Sequence, residues 1–236
     1  MSYKRILLKL SGETLGGESG IGLDEKAIDA FAAQIAGIAK KGVQIATVIG
    51  GGNIFRGLSG ASKGFDRVRG DQMGMLATVI NSIGLSLSLR SHGVRAEVFT
   101  STPMMPMARY YMRDEVLDYM ESGGIALVAG GTGNPFFTTD SGAALRACEL
   151  RCDALLKGTK VDGVYDSDPA VNPGARRYDS LTFDNVLADE LKVMDLTAFT
   201  LCKENNMPVV VFNIREKGRL EQVVAGTGVC TTIRVK

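Results

Sequence analysis

A single histidine, His92, in a chain of 236 residues leaves no material for a histidine-based triad or a two-histidine metal site. Its place beside Gly93 suits the end of a helix or the surface. Cysteine is nearly as scarce. Cys148 and Cys152 read as an i,i+4 pair on an Ala/Leu-rich helix and Cys202 and Cys230 stand alone, so the four fit small buried hydrophobes better than a metal tetrahedron or a disulfide framework. Excess charge is also missing. With 27 Lys plus Arg against 26 Asp plus Glu the net charge is +1, which gives no bulk attraction to nucleic acid or membrane. The leading apolar segment Ile6-Leu7-Leu8 is broken by Lys9 and is too short for a signal peptide or a membrane span, so a cytosolic location is expected.

Familiar nucleotide motifs are absent as well. No glycine is followed by lysine, which excludes a Walker A loop, and Phe55 stands where Gly50-x-Gly52 would need its third glycine for a dinucleotide fingerprint. No histidine-arginine-aspartate loop with a DFG turn is present either.

What is there is an ordinary globular composition, 45% hydrophobic and 22% charged, long enough to bury a substantial core. Short β-branched runs alternate with helical periodicity, the pattern of a parallel sheet with crossover helices. Strands are predicted at 4–10, 43–49, 95–100, 125–129, 154–157, 209–212 and near 229–233. Helices are predicted from Asp24 with Ile28, Phe31, Ile35 and Ile38 on one face, and over 66–90 with Met73, Met75, Leu76, Val79, Ile80, Ile83 and Leu87. Further helices are predicted near Asp140, before Lys192, from Asp195 and from Arg215. Residues 101–113 and 159–179 read as loops. With no repeats or clear linkers, residues 1–236 read as one domain with two lobes.

Three strands end in glycine turns: Lys9-Leu10-Ser11-Gly12, Gly50-Gly51-Gly52-Asn53 and Gly130-Gly131-Thr132-Gly133-Asn134-Pro135. Any one could be a plain tight turn, but three on the carboxyl edge of one sheet put backbone N–H groups and helix ends where phosphates bind. Lys9 interrupts an apolar strand, where a lysine is costly without a task. Arg56 is placed to fork onto a phosphate, or is a solvated arginine. Asp140 and Asp195 each precede or open a helix, where an N-cap is the simplest role.

The segments LLKLSGE (7–13), IGGGN-x-FRG (49–57), RV-x-GD-x-MGMLAT (67–78), GTGNPFFTTDS (131–141), LK-x-TKVDGVY (156–165), Asp168-Pro169 and LKVMDL-x-AFTL (191–201) resemble the bacterial uridylate kinases of the amino acid kinase superfamily, in order, from about Tyr3 to the last strand. That resemblance implies a three-layer α/β/α sandwich with a mainly parallel central sheet. It implies transfer of the ATP γ-phosphoryl group to UMP with Mg²⁺, no metal held directly by side chains, and a homohexamer. The lobe of about 1–150 would serve UMP and the interface, that of 151–236 ATP.

By position, Lys9, Leu10, Ser11, Gly12, Gly52 and Arg56 would border the ATP phosphates, and Thr159, Tyr165 and Asp168 the adenine nucleotide. Gly51, Asp71, Thr132, Gly133, Asn134, Pro135, Phe136, Phe137, Thr138 and Thr139 would surround UMP. Lys9, Arg56 and Asp140 are the implied catalytic set, with Asp140 orienting Lys9, and Lys157 or Lys160 a second cation. Gly17, Glu18, Ser19, Gly20, Ile21 and Gly22 match a loop associated with GTP activation, UTP being the matching inhibitor. Ser86, Arg90, His92, Arg95 and Glu97 depart from the family's basic effector lining, and residues 103–124 match little. Two rivals stay open: a carboxylate or carbamate kinase of the same superfamily, and a nucleotide- or oxyanion-binding module without turnover.

Overall fold

The computed structural model describes residues 2–55 and 66–235. Nine strands form one sheet in the order β4-β3-β5-β2-β1-β6-β10-β11-β9. They are β1 (Arg5–Leu10), β2 (Gln44–Ile49), β3 (Ala96–Thr100), β4 (Arg109–Tyr110), β5 (Ile125–Ala129), β6 (Ala154–Thr159), β9 (Ser180–Thr182), β10 (Val209–Asn213) and β11 (Thr231–Arg234). Two short strands, β7 (Val164–Tyr165) and β8 (Arg177–Tyr178), pair antiparallel on their own. Every pairing in the large sheet is parallel except β10 with β11.

Alternation along β1 shows why the sheet needs helices on both faces. Ile6, Leu8 and Leu10 join one core with Ile28, Phe31 and Ile35 of α1 (Glu25–Ala39), Val79, Leu85 and Leu89 of α2 (Arg67–Ser91) and Leu220 and Val223 of α7 (Arg219–Ala225). Leu7 joins the other core with Val116 and Met120 of α3 (Arg113–Glu121), Ala143 and Ala147 of α4 (Thr139–Glu149), Val186 of α5 (Phe183–Ala188) and Phe199 and Cys202 of α6 (Leu196–Glu204). The result is the expected three-layer α/β/α sandwich.

The chain departs from its sequence-level reading where local signals are short or overridden. The stretch 101–113 is not all loop, because Arg109 and Tyr110 add a parallel edge to β3. Within 159–179 the β7/β8 hairpin forms from strands of two residues each, too short for any periodicity. Cys152 is not helical. The helix ends at Glu149 and Arg151 turns to φ 52°, leaving Cys152 buried beyond it. Burial raises the thiols of Cys152 and Cys202 to about 12, which keeps both inert near neutrality.

α7 starts at Arg219 rather than Arg215, since Asn213 Oδ1 accepts from the Arg215 N–H and holds a turn that runs to Gly218 at φ 79°. On α2 the inward face is Ala77, Thr78, Asn81, Ser82, Leu85 and Leu89, while Met73, Leu76, Ile80 and Leu87 are 40–61% exposed. By length and composition α2 could span a membrane, yet it packs along α1, β3 and β5. His92 ends α2 as expected, with Nε2 2.8 Å from Asp29 Oδ1.

Candidate functional site

The order of strands reverses at β1. From β1 the chain moves outward through β2 and β3, returns through β5, and then crosses to β6 and β10 on the other side. The crevice beyond the carboxyl ends of β1 and β6 is therefore the switch point where parallel sheets receive ligands. Register completes the geometry. Lys9 on β1 lies directly opposite Lys157 on β6, and both follow the face of Leu7 and Leu155, under α4.

Between the two ammonium groups stands Asp140, in the first turn of α4. Its Oδ1 is 2.8 Å from Lys9 Nζ and its Oδ2 accepts a 2.6 Å bond from Lys157 Nζ. All three side chains are 13–15% exposed. Burial acts to raise the Asp140 carboxyl, but Lys9 and Lys157 together outweigh it and hold the acid below its ordinary range. Burial pulls Lys157 down from the usual lysine value, with Asp140 opposing. Lys157 Nζ also donates to the Val193 carbonyl. Lys160, the other predicted cation, instead meets Glu13 at 2.7 Å on the surface.

Asp140 is thus not the cap of α4. Thr138 is, its Oγ1 accepting from the N–H groups of Asp140 and Ser141 at 3.1 and 3.2 Å. Asp195 does cap α6, accepting from the Ala198 N–H at 3.0 Å, and it reaches across to accept from Thr138 Oγ1 and from Ser141 Oγ at 2.9 Å. One carboxylate thereby locks the starts of two helices together. Lys9, Thr138, Thr139, Asp140 and Asp195 line a cavity of about 210 Å³.

The glycine turns close around this point. A Cβ on Gly12 would fall 2.3 Å from both Gly50 O and Asn53 Oδ1, so the first two turns approach as only glycine allows. A Cβ on Gly51 would sit 2.7 Å from Gly74 O on α2, which gives Gly51 a packing reason as well. Ser11 opens the 3₁₀ turn Gly12–Thr14 in extended conformation. Leu10 is fully buried and its carbonyl accepts from the Gly50 N–H, so its side chain serves the core. Gly52 is described beside them; Arg56 lies outside the described residues.

The third turn lines a small cleft with α2. Asp71, Gly74, Met75, Thr78, Gly131, Thr132, Asn134, Phe137, Thr138 and Thr139 enclose about 70 Å³. Asp71 accepts from Arg67 Nε at 2.9 Å and from the Phe136 N–H at 2.8 Å, and the Arg67 guanidinium lies 5.6 Å from the Phe136 ring centroid. Phe136 holds φ at 70°, unusual for a bulky residue, and Phe136 and Phe137 remain 65% and 47% exposed. Gly133, Asn134 and Pro135 form the rim, with Thr132 Oγ1 accepting from the Asn134 N–H.

A larger cleft of about 450 Å³ opens on the other side, within the range of small-ligand pockets. The predicted Thr159, Tyr165 and Asp168 all line it. Thr159 Oγ1 donates to Val161 O, Tyr165 OH to Asp162, and Asp168 Oδ1 accepts from the Ala170 N–H. Lys157, Val161, Gly163, Val164, Asp166, Ser167, Pro169, Asp189 to Val193 and Val211 complete the lining, and of these Asp166, Ser167, Asp189, Glu190 and Val211 fall outside the segments that carry the family resemblance. The signal for 191–193 was present in the LKVMDL segment; the Val193 carbonyl that holds Lys157 carries no side-chain signal at all. The predicted effector loop 17–22 lies apart from these clefts, tied to Asn53 by a Gly22 N–H to Asn53 O bond of 2.9 Å.

The description "Amino acid kinase family" fits residues 4–213. A uridylate kinase of Bacteroides thetaiotaomicron is 56% identical over 231 residues, covering 98% of each chain. The chain belongs to the uridylate kinases of the amino acid kinase family. Among solved structures, a UMP kinase from Bacillus anthracis superposes with a TM-score of 0.96 at 37% identity, covering 100% of this chain and 98% of that one. One from Ureaplasma parvum gives 0.93 at 37%, covering 99% and 100%. The two-lysine, one-carboxylate centre of this family member can hold a highly charged phosphoryl group by position and charge alone, with no nucleophilic side chain.

Proposed function

We propose that the chain transfers the γ-phosphoryl group of ATP to UMP, giving ADP and UDP, in the cytosol and in the supply of pyrimidine nucleotides. The observation that carries this reading is the Lys9–Asp140–Lys157 centre at the switch point, between a cleft large enough for an adenine nucleotide and a second cleft walled by Asp71 and the 131–139 loop. On this reading the half around 151–236 holds ATP through Thr159, Tyr165 and Asp168, and the half around 1–150 holds UMP. An oxygen of the UMP phosphate attacks the γ-phosphorus in line, the bond to the β-phosphate oxygen breaks, and ADP leaves with that electron pair. No base is required, because the UMP phosphate is ionised near neutrality.

Lys9 and Lys157 offset the charge on the transferred group, and the turns at Gly12 and Gly52 present backbone N–H groups to it, with Arg56 as a further cation. Asp140 is already spanned by two lysines. With both carboxylate oxygens so engaged it would not hold a metal directly, and a Mg²⁺ arriving with ATP would supply further charge neutralisation.

A coupled ADP-release assay offering UMP, CMP, AMP, aspartate, N-acetylglutamate and carbamate tests the reaction. Turnover with UMP supports it, turnover only with a carboxylate or carbamate keeps the ATP half and overturns the acceptor, and silence with all favours a binding module. Asp71→Asn is expected to raise the KM for UMP by about tenfold or more while moving that for ATP little, because a hydrogen bond to a charged acceptor is worth about 1.5–3 kcal/mol. Steady-state kinetics with each nucleotide varied decides it; the opposite pattern would place the acceptor elsewhere.

We also propose a homohexamer that covers the exposed Met73, Leu76, Ile80 and Leu87 face of α2. Ile80→Asp is expected to yield a smaller species by sedimentation, and a monomeric parent would rule the assembly out. Initial rates with added GTP and UTP test the effector reading of Gly17 to Gly22; no response to either would overturn it.

A further inference from the structure

Asn81 of α2 is fully buried and Asn53 nearly so, in a wall otherwise built of small and apolar residues. A buried primary amide is costly unless its N–H groups are used. Here all are used. Asn81 Nδ2 donates to Gly50 O at 2.7 Å and to Asn53 Oδ1 at 2.8 Å. Asn53 Nδ2 donates to Asn81 Oδ1 at 3.0 Å and to Gly22 O at 2.6 Å. The Gly22 N–H returns a bond to Asn53 O at 2.9 Å.

Three segments meet on this amide pair. Asn53 Oδ1 sits where a Cβ on Gly12 would collide, Gly50 O is held by Asn81, and the loop ending at Gly22 is strapped to Asn53. Neither asparagine lines any of the clefts described above. Aspartate at position 81 would lose both donors, and leucine would leave Gly50 O and Asn53 Oδ1 without them. The arrangement is one that only two reciprocal amides of this length complete.

We propose that Asn81, acting through Asn53, is a positioning residue for phosphoryl transfer: it fixes the Gly12 and Gly50–Gly52 turns at the transferred phosphate and couples them to the Gly16–Asp24 loop. This rests on the reaction proposed above, with those turns at the phosphates. The pair is buried, fully hydrogen-bonded and no part of the adenine cleft's lining, so its loss acts on alignment in the transition state more than on ATP capture.

The test is steady-state kinetics on Asn81→Leu and, in case that variant folds poorly, on the smaller polar Asn81→Ser, with each preparation normalised to native circular dichroism. We expect kcat to fall by about tenfold to a hundredfold, with the KM for ATP changed less than about threefold, the scale by which small misplacements slow catalysis. Hydrogen exchange of a peptide spanning residues 11–24 is expected to quicken in the same variants. A lowered melting temperature with kcat within twofold of the parent would mean that the pair is only structural and would overturn the positioning role; unchanged exchange would overturn the coupling to the loop. No turnover by the parent with UMP and ATP would overturn the reaction itself, and this inference with it.

Discussion

Lys9→Ala is expected to lower kcat by about a hundredfold to a thousandfold while leaving the KM for UMP nearly unchanged, the cost typical of deleting one preorganised electrostatic contact. Lys9 lies on a fully packed strand, its ammonium held by Asp140 and set opposite Lys157 by the β1–β6 register. It needs no reorganisation when charge develops on the γ-phosphoryl oxygens, so its value is greatest in the transition state rather than in the ground state. The loss is not total because Lys157 keeps a second cation in place. The fold should tolerate the change, since Asp140 retains Lys157 as partner and alanine suits a buried strand edge of the cavity. Initial rates over a matrix of both nucleotides check it. Equal rates would remove Lys9 from the chemistry, and a rise in the UMP KM at constant kcat would move it into ground-state binding.

Lys9 was legible because a charge in the run Ile6 to Leu10 breaks a pattern that burial otherwise explains. Lys157 was visible only as a candidate, for nothing in a single strand reveals its neighbour's register, and the pairing of Lys9 with Lys157 exists only once β1 and β6 are side by side. The long elements were readable for a similar reason: α1 repeats Ile28, Phe31, Ile35 and Ile38 at helical spacing over its whole length. Strands of two or three residues, β4, β7, β8 and β9, hold too few side chains for a period and are fixed by partners far along the chain. Position alone left Asp140 looking like a plain cap, because Asp and Thr both favour that place, and only the family resemblance put it beside Lys9. Thr138 took it, which frees the Asp140 carboxylate to face the lysines.

Asp140→Asn is expected to destabilise the fold by about 3 kcal/mol, the lower end of what removing one member of a buried ion cluster costs, since the group keeps slight solvent access. The pH dependence distinguishes this from simple loss of packing. The folded Asp140 carboxyl titrates below its ordinary value of 3.8, so its contribution is complete above that value and is lost as pH falls through the lower folded one. Lys157 runs the other way. Its folded pKa lies below 10.5, so the unfolded chain holds more protons in that window and stability rises with pH through it. Without Asp140 the opposing attraction disappears and the Lys157 window reaches further toward neutrality. On the alkaline side of neutrality the variant should therefore begin to gain denaturation midpoint at lower pH than the parent, while its kcat falls as Lys157 sheds the proton that phosphoryl transfer needs. Parallel stability slopes for variant and parent across that range would show that Lys157 does not depend on Asp140 for its charge, and the electrostatic coupling of those two groups would have to be given up, with both lysines still in place.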